Sequence, residues 1–340
     1  MAYIILDKNN FFYNLDIVAH KTKSKDKIAI VLKDNAYGHG LLEMAGMAQE
    51  YGLKQAVVQY KQEAKKIKHL FEHILVLADI PQKKSKTISY TINSLDSIKK
   101  FPKGCLVELK VNTGMNRNGI EMEQLSEAFR LIDTHRLKLR GVFTHHGCAD
   151  ELDGNYEKQT KRFLAVKKEV KELIKSYGWK KIRFHSANSA TLFREKDFDE
   201  DIARIGIAAY GCLEMPKELC KVELKPVLAL YAQKNSTRIV KKGQSVGYGA
   251  SFTAKSDVVV SNYNFGYGDG FLRSCSNSYQ TPQGVQIVGR VSMDNSSFIS
   301  DADELLIFDD AKDVAKFAGT ISYEVLTSLK PHLKRKVAVF

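Results

Sequence analysis

Lys33 closes a short apolar run, Ile28-Ala29-Ile30-Val31-Leu32, and opens the stretch Asp34-Asn35-Ala36-Tyr37-Gly38-His39-Gly40. The run has the composition of a buried strand, and Leu41 to Tyr51 carries Leu41, Leu42, Ala45 and Ala48 at helical spacing. A lysine between strand and helix can simply snorkel from the strand end to water. In barrels of alternating strands and helices, however, that edge is where chemistry is built. Two glycines, an asparagine and a tyrosine within the next seven residues suit a tight loop that approaches a ligand closely.

Other chemistry-bearing stretches also follow strand-like runs or sit in turns. ELKVNTGMNRNG (Glu108 to Gly119) enters an Asn- and Gly-rich loop with Lys110 and Arg117, for each of which a structural ion pair is the ordinary use. FTHHGCAD sets His145 beside His146, with Cys148 and Asp150 following. That grouping raises metal binding, but neighbours in a strand point to opposite faces and no pair at ligand spacing follows, so no metal is expected. In FHSANSA, Asn188 and Ser189 can cap a helix over Ala190 to Arg194. A helix N-terminus also binds phosphate, and barrels commonly do so in their seventh and eighth loops. The run ARIGIAAYG contributes Arg204, and SVGYGASF places Tyr248 in a glycine-flanked turn, most often a structural position.

The elements that must hold these side chains alternate. Strand-like runs occur at Ile28–Lys33, Ala56–Gln59, His73–Ala78, Thr87–Thr91, Cys105–Val111, Leu139–His145, Lys181–Ser186 and Ile202–Ile207. Helical stretches such as Glu63–Phe71, Leu95–Phe101, Glu121–Ile132 and Tyr156–Tyr177 separate them. Eight strands in this alternation are the number a closed parallel barrel needs. Near Glu223 the pattern changes: Val222–Gln233, Ser236–Val240, Val258–Asn264, Val285–Ser292 and Glu304–Phe308 predict strands with few long helices between them. We therefore expect a (β/α)8 barrel over 1–223 and a mainly β domain over 224–340. The extreme N-terminus adds to the second domain, and a short helix lies over Tyr323 to Leu329.

Bulk properties narrow the class. The 340 residues are 44% hydrophobic and 27% charged, as in ordinary globular proteins, and exceed one typical domain. No apolar run approaches membrane-spanning length. The start MAYIILDKNNFF has no basic region and carries Asp7 early, so a signal peptide is not expected. Five scattered cysteines without metal-finger spacing suit a reducing cytoplasm. The net charge of +13 raises nucleic-acid binding, but the lysines lie in short scattered runs without interleaved aromatics, as solvated faces do. A mild attraction for anionic small molecules remains.

VLKDNAYGHG, from Val31 to Gly40, resembles the pyridoxal-phosphate lysine motif of alanine racemases, and the later motifs agree with that family in content and order. The resemblance implies that Lys33 holds pyridoxal 5'-phosphate as a Schiff base and that Tyr37, Asn188, Ser189, Tyr323 and the backbone of Gly206 and Ile207 bind its phosphate. It sets His145 and His185 beside the ring and Arg204 against the ring nitrogen. Arg117 is implied to grip the substrate carboxylate, with Met293 and Asp294 nearby and Tyr267 at the entrance. Lys110 matches a lysine often carbamylated in that family, an anion that would orient Arg117. Asn112 is a departure from the aspartate expected there, and it bears on both that modification and the loop's hydrogen bonds.

The activity so implied is interconversion of L- and D-alanine, supplying D-alanine for cell-wall peptidoglycan. Two bases exchange the Cα proton: Lys33 for the D-enantiomer and Tyr248 for the L-enantiomer. A homodimer with active sites shared between subunits is implied, with no nucleic acid and no membrane as partner. A racemase of serine or another small amino acid would use the same machinery. Decarboxylases of this barrel lack the two-base pair, and a non-enzymatic pyridoxal-phosphate carrier would lack residues 224–340.

Overall fold

The computed structural model describes residues 2–340. Its first strand, β1 (Tyr3–Asp7), belongs to a second sheet, and Asp7 then caps the helix Lys8–Thr22 by accepting a hydrogen bond from Asn10 N. The barrel follows as β2 (Ile28–Val31), β3 (Gln55–Val58), β4 (His73–Val76), β5 (Ile88–Ile92), β6 (Leu106–Lys110), β7 (Lys138–Phe143), β8 (Arg183–His185) and β9 (Ala203–Ile205). All the ladders between them are parallel. Each strand pairs with the next from β2 to β8, and β9 returns to pair with β2. Arg204 N to Ala187 O at 2.9 Å and Asp201 N to Phe184 O at 3.2 Å span the remaining gap between β8 and β9.

Burial on both faces explains why these strands are nearly continuous apolar runs. Along β2, Ile28 and Ile30 join the large core under the helices, while Ala29 and Val31 pack inward with Val57, Leu75, Phe143 and Ile202. The eight expected strands are all present; β3 and β5 keep the expected length with a shift of one residue, and the other six are shorter than their apolar runs because flanking residues belong to the loops.

The second sheet has the order β14 (Ile287–Val288), β15 (Ser296–Phe298), β13 (Val258–Tyr263), β10 (Leu228–Val240), β1, β17 (Lys334–Ala338), and β16 (Glu304–Phe308) also pairs with β10. A small hairpin of β11 (Ser245–Val246) and β12 (Phe252–Thr253) stands apart. The expected pair Val222–Gln233 and Ser236–Val240 is one long strand, β10, beginning only at Leu228. Before it, Pro226 has no N–H to offer a ladder. Asn14 serves instead, accepting from Lys225 N at 2.8 Å and donating to Lys225 O at 2.7 Å. The run Val285–Ser292 forms only β14, because Gly289 turns the chain at φ 74°. The helix Ser322–Ser328 carries this half of the molecule over the barrel mouth, where Tyr323 approaches Tyr37 with ring centroids 5.9 Å apart.

Candidate active site

At the end of β2 the chain makes an unusual turn. Asp34, Asn35, Ala36 and Tyr37 all have φ between 52° and 55°, one turn of left-handed helix built from L-residues. Such a conformation costs about 1–2 kcal/mol per residue and normally occurs at single positions. Here it is tied down throughout. Asp34 N donates to Glu63 Oε1, Leu41 N to Asn35 Oδ1 and Gly40 N to Asn35 O, each at 2.9 Å, and Arg335 Nη2 donates to Gly38 O at 2.7 Å. Lys33 and Tyr37, at the two ends of this turn, both line a cavity of about 890 Å³ in the barrel mouth. Lys33 Nζ lies 2.9 Å from Asp34 Oδ2.

One end of the cavity is a cradle of hydroxyl and N–H groups. Asn188 caps the short helix Ser189–Arg194, accepting from Thr191 N at 2.8 Å. Ser189 Oγ accepts from Gly206 N and Ala208 N, each at 3.3 Å. A Cβ on Gly206 would come within 2.7 Å of Tyr37 Oη, so only glycine leaves the space between them open. Ile207 and Tyr323 complete this end. Burial pushes the phenols of Tyr37 and Tyr323 above their ordinary pKa, so both remain neutral donors.

Across the cavity lies Arg204. Its Nη1 is 2.5 Å from His185 Nδ1, and Nη2 donates to Thr144 O at 2.8 Å and Ser186 O at 3.1 Å. Nη2 also reaches His145 Nδ1 at 3.5 Å, the outer limit of a hydrogen bond. With both Nη atoms engaged, Nε–H is the Arg204 donor without a protein acceptor among the described residues. Burial lowers the guanidinium pKa to about 10, still well above neutrality. Burial and the neighbouring Arg204 charge hold His145 neutral. The adjacent His146 turns away to Thr160 and Thr191, 3.3 Å from each hydroxyl.

Lys110 and Arg117 line the same cavity. Burial, then the charges of Arg117 and Arg204, lower the Lys110 pKa to about 8. Asn112 organises the loop between them: its Oδ1 accepts from Gly114 N and Asn116 N at 3.0 Å, and its Nδ2 donates to Glu121 Oε1 at 3.0 Å. An aspartate would lose that donor and face the Glu121 carboxylate, so the asparagine suits this chain.

The cavity thus collects Lys33, Tyr37, Lys110, Arg117, His145, Asn188, Ser189, Arg204, Gly206, Ile207 and Tyr323, with His185 buried directly behind Arg204. Tyr248, Tyr267, Met293 and Asp294 do not line it. They lie exposed on the β domain, Tyr248 by 70% and Met293 by 57%. Their loops are joined to one another: Gly249 packs on the Arg290 guanidinium, and Tyr267 N and Gly268 N donate to Ser292 O and Met293 O. Two residues below the cavity were not among the expected ones, Glu108 and Arg183. Glu108 shares with Lys110 the i, i+2 spacing that puts two side chains on one strand face. That parity was the available signal.

The family model described as the alanine racemase N-terminal domain matches residues 6–214, and that of the alanine racemase C-terminal domain matches residues 227–337. An alanine racemase of Nitratiruptor sp. is 44% identical over 335 residues, 98% of this chain and 99% of that protein. Among solved structures, an alanine racemase of Clostridium difficile superposes with a TM-score of 0.89 at 25% identity, covering 99% of this chain and 96% of that one. A histidine racemase from Leuconostoc mesenteroides shares the fold, with a TM-score of 0.82 at 24% identity over 99% of this chain and 98% of that one.

Proposed function

This chain belongs to the alanine racemase family, and we propose that it interconverts L- and D-alanine with pyridoxal 5'-phosphate held in the barrel mouth. The observation that carries this assignment is the meeting of Lys33, the Tyr37–Gly206 cradle and the uncommitted Nε–H of Arg204 in one cavity. These residues fit the cofactor. Lys33 Nζ is the amine that would hold it, and the cradle presents the hydroxyl and N–H groups a phosphate accepts from. Arg204 Nε–H suits a ring nitrogen acting as acceptor. When bound, the cofactor withdraws electrons from the substrate's Cα–H bond and so acidifies it.

The chain's own groups then set the outcome. Arg117 holds the substrate carboxylate through its two-pronged guanidinium, close to the partner subunit's Met293 and Asp294. Lys33 Nζ exchanges the Cα proton on the face of the D-enantiomer, and Tyr248 Oη of the partner subunit does so on the opposite face. A free tyrosine, with a pKa of about 10, is a poor base at neutral pH. A relay from the partner's Tyr248 through His145 to Arg204 lowers that barrier, and the His145–Arg204 approach supports it. Arg204 keeps its protons near neutrality, so it orients without protonating. Tyr267 of the partner subunit stands at the entrance.

The division at 223/224 is supported by β9 ending at Ile205 and β10 starting at Leu228. Cytoplasmic location is supported by five free cysteines. No described helix is long and apolar enough to cross a membrane.

The test is racemisation of L- and D-alanine with and without added cofactor, with serine and histidine as competitors, followed by borohydride reduction. Alanine should turn over in both directions, and the reduced cofactor should be recovered on the Lys33 peptide. Label on another lysine, or preference for a competitor, would overturn the assignment.

A further inference from the structure

Below the cavity the barrel interior holds a charged cluster that the reaction as described leaves unused. Glu108 lies fully buried in β6. Its Oε2 is 2.7 Å from His185 Nε2 and 3.2 Å from Arg183 Nε, and its Oε1 accepts from Arg183 Nη2. Arg183 is held in turn by Gln55 Oε1 at 2.7 Å and His73 Nδ1 at 2.9 Å. Room for the carboxylate comes from the register partner Gly141, whose Cβ would stand 2.9 Å from Glu108 Oε2.

We propose that Glu108 is a positioning residue for Arg204: its carboxylate selects one tautomer of His185, and that tautomer sets the aim of the guanidinium. The proposal rests on the assignment of Arg204 to the cofactor ring. An ionised carboxylate can only accept, so the His185 nitrogen facing it must carry the proton. His185 is fully buried and neutral, so its Nδ1 is then a bare lone pair. Arg204 Nη1, which can only donate, stands 2.5 Å from that lone pair. In the other tautomer two N–H groups would collide there while the carboxylate faced a second lone pair, and both contacts would fail. With Nη1 committed to His185, and Nη2 to Thr144 O and Ser186 O, Nε–H is the donor left for the cavity. Arg183 keeps Glu108 ionised despite its burial, so the selecting charge is permanent near neutrality.

The alternative is that Glu108 only neutralises Arg183 in the barrel floor. Two substitutions separate them. Arg183→Lys keeps a cation beside the ionised carboxylate but loses the guanidinium's paired bonds to Glu108, whereas Glu108→Gln leaves an amide that can donate to His185 Nε2 and stabilise the wrong tautomer. In holoenzyme labelled with ¹⁵N-histidine, two-bond ¹⁵N–¹H correlations should show His185 protonated at Nε2 in wild type and Arg183→Lys. In Glu108→Gln the signal should shift towards Nδ1 protonation, and the absorption band of the bound cofactor should move. There kcat should fall on the order of ten- to a hundredfold, as when a partner orienting a functional histidine is lost, with KM for alanine within about twofold. Both variants should melt earlier than wild type. If Glu108→Gln keeps the wild-type tautomer, absorption band and kcat while losing only stability, Glu108 is structural and the proposal fails. Should that variant not fold, the wild-type spectrum still decides, because protonation at Nδ1 there contradicts the proposal outright. The tautomer readout does not depend on turnover, so it fails separately from the assigned reaction.

Discussion

Three basic side chains converge on one wall of the cavity, and at Lys110 burial and the charges of Arg117 and Arg204 all oppose a further cation. With its pKa lowered to about 8, roughly a tenth of this amine is neutral at pH 7. A neutral amine adds to carbon dioxide, forming a carbamate and releasing one proton, and the resulting anion would hold Arg117 instead of repelling it. We predict that Lys110→Ala loses most activity and regains part of it with acetate, which can stand in for the carbamate. The modification itself should appear as a ¹³C resonance after equilibration with labelled bicarbonate, and active enzyme whose lysine stays unmodified would contradict this. Lys110 and Arg117 lie in one stretch whose residues alone suggest an ordinary ion pair, and the family resemblance singled them out. Glu108 carried only its strand parity with Lys110, and Arg183 no signal at all, because their partners come from strands far apart in the chain, 75 residues between Glu108 and Arg183 and 110 between Arg183 and His73. A lone glutamate in LVELK looks like an interruption until β4, β7 and β8 are set beside it.

At the scale of elements, the left-handed turn after β2 determines where Lys33 and Tyr37 point. Four residues at about 1–2 kcal/mol each store several kcal/mol, which the surrounding hydrogen bonds must offset. Asn35 contributes most directly, tolerating the conformation and capping Leu41 N at 2.9 Å. Replacing it with alanine should destabilise the fold by about 1–2 kcal/mol in denaturant titration and weaken cofactor retention, since Tyr37 shares the turn. Unchanged stability together with unchanged cofactor binding would show that the turn is held elsewhere. The sequence predicted a tight loop here but not its handedness, since Asp-Asn-Ala-Tyr contains no glycine to announce positive φ. Period and composition were enough for the barrel strands, whose both-sided burial writes itself as apolar runs. They failed where tertiary partners substitute for a ladder, as at Lys225 with Asn14. The exposed edge strand Lys334–Ala338 carries three basic residues and hides its partner, β1, at the other end of the chain.

At the scale of the whole molecule, one chain holds a barrel mouth with Lys33 and, outside that cavity, an exposed cluster on the β domain with Tyr248, Tyr267, Met293 and Asp294. We predict a twofold dimer in which each mouth receives the other subunit's cluster and the active sites are shared. Exposure of the Tyr248 ring in the single chain fits that arrangement, because a base must meet its substrate out of water. Lys33→Ala and Tyr248→Phe proteins should each be nearly inactive, since every site then lacks one base. Co-expressed, the two chains should form about half mixed dimers, in which one site carries both defects and the other is intact. The central claim is therefore tested most directly by the racemisation rate of the co-expressed pair: about a quarter of wild-type activity is the predicted result, and mixed dimers as inactive as either parent would place both bases in one chain.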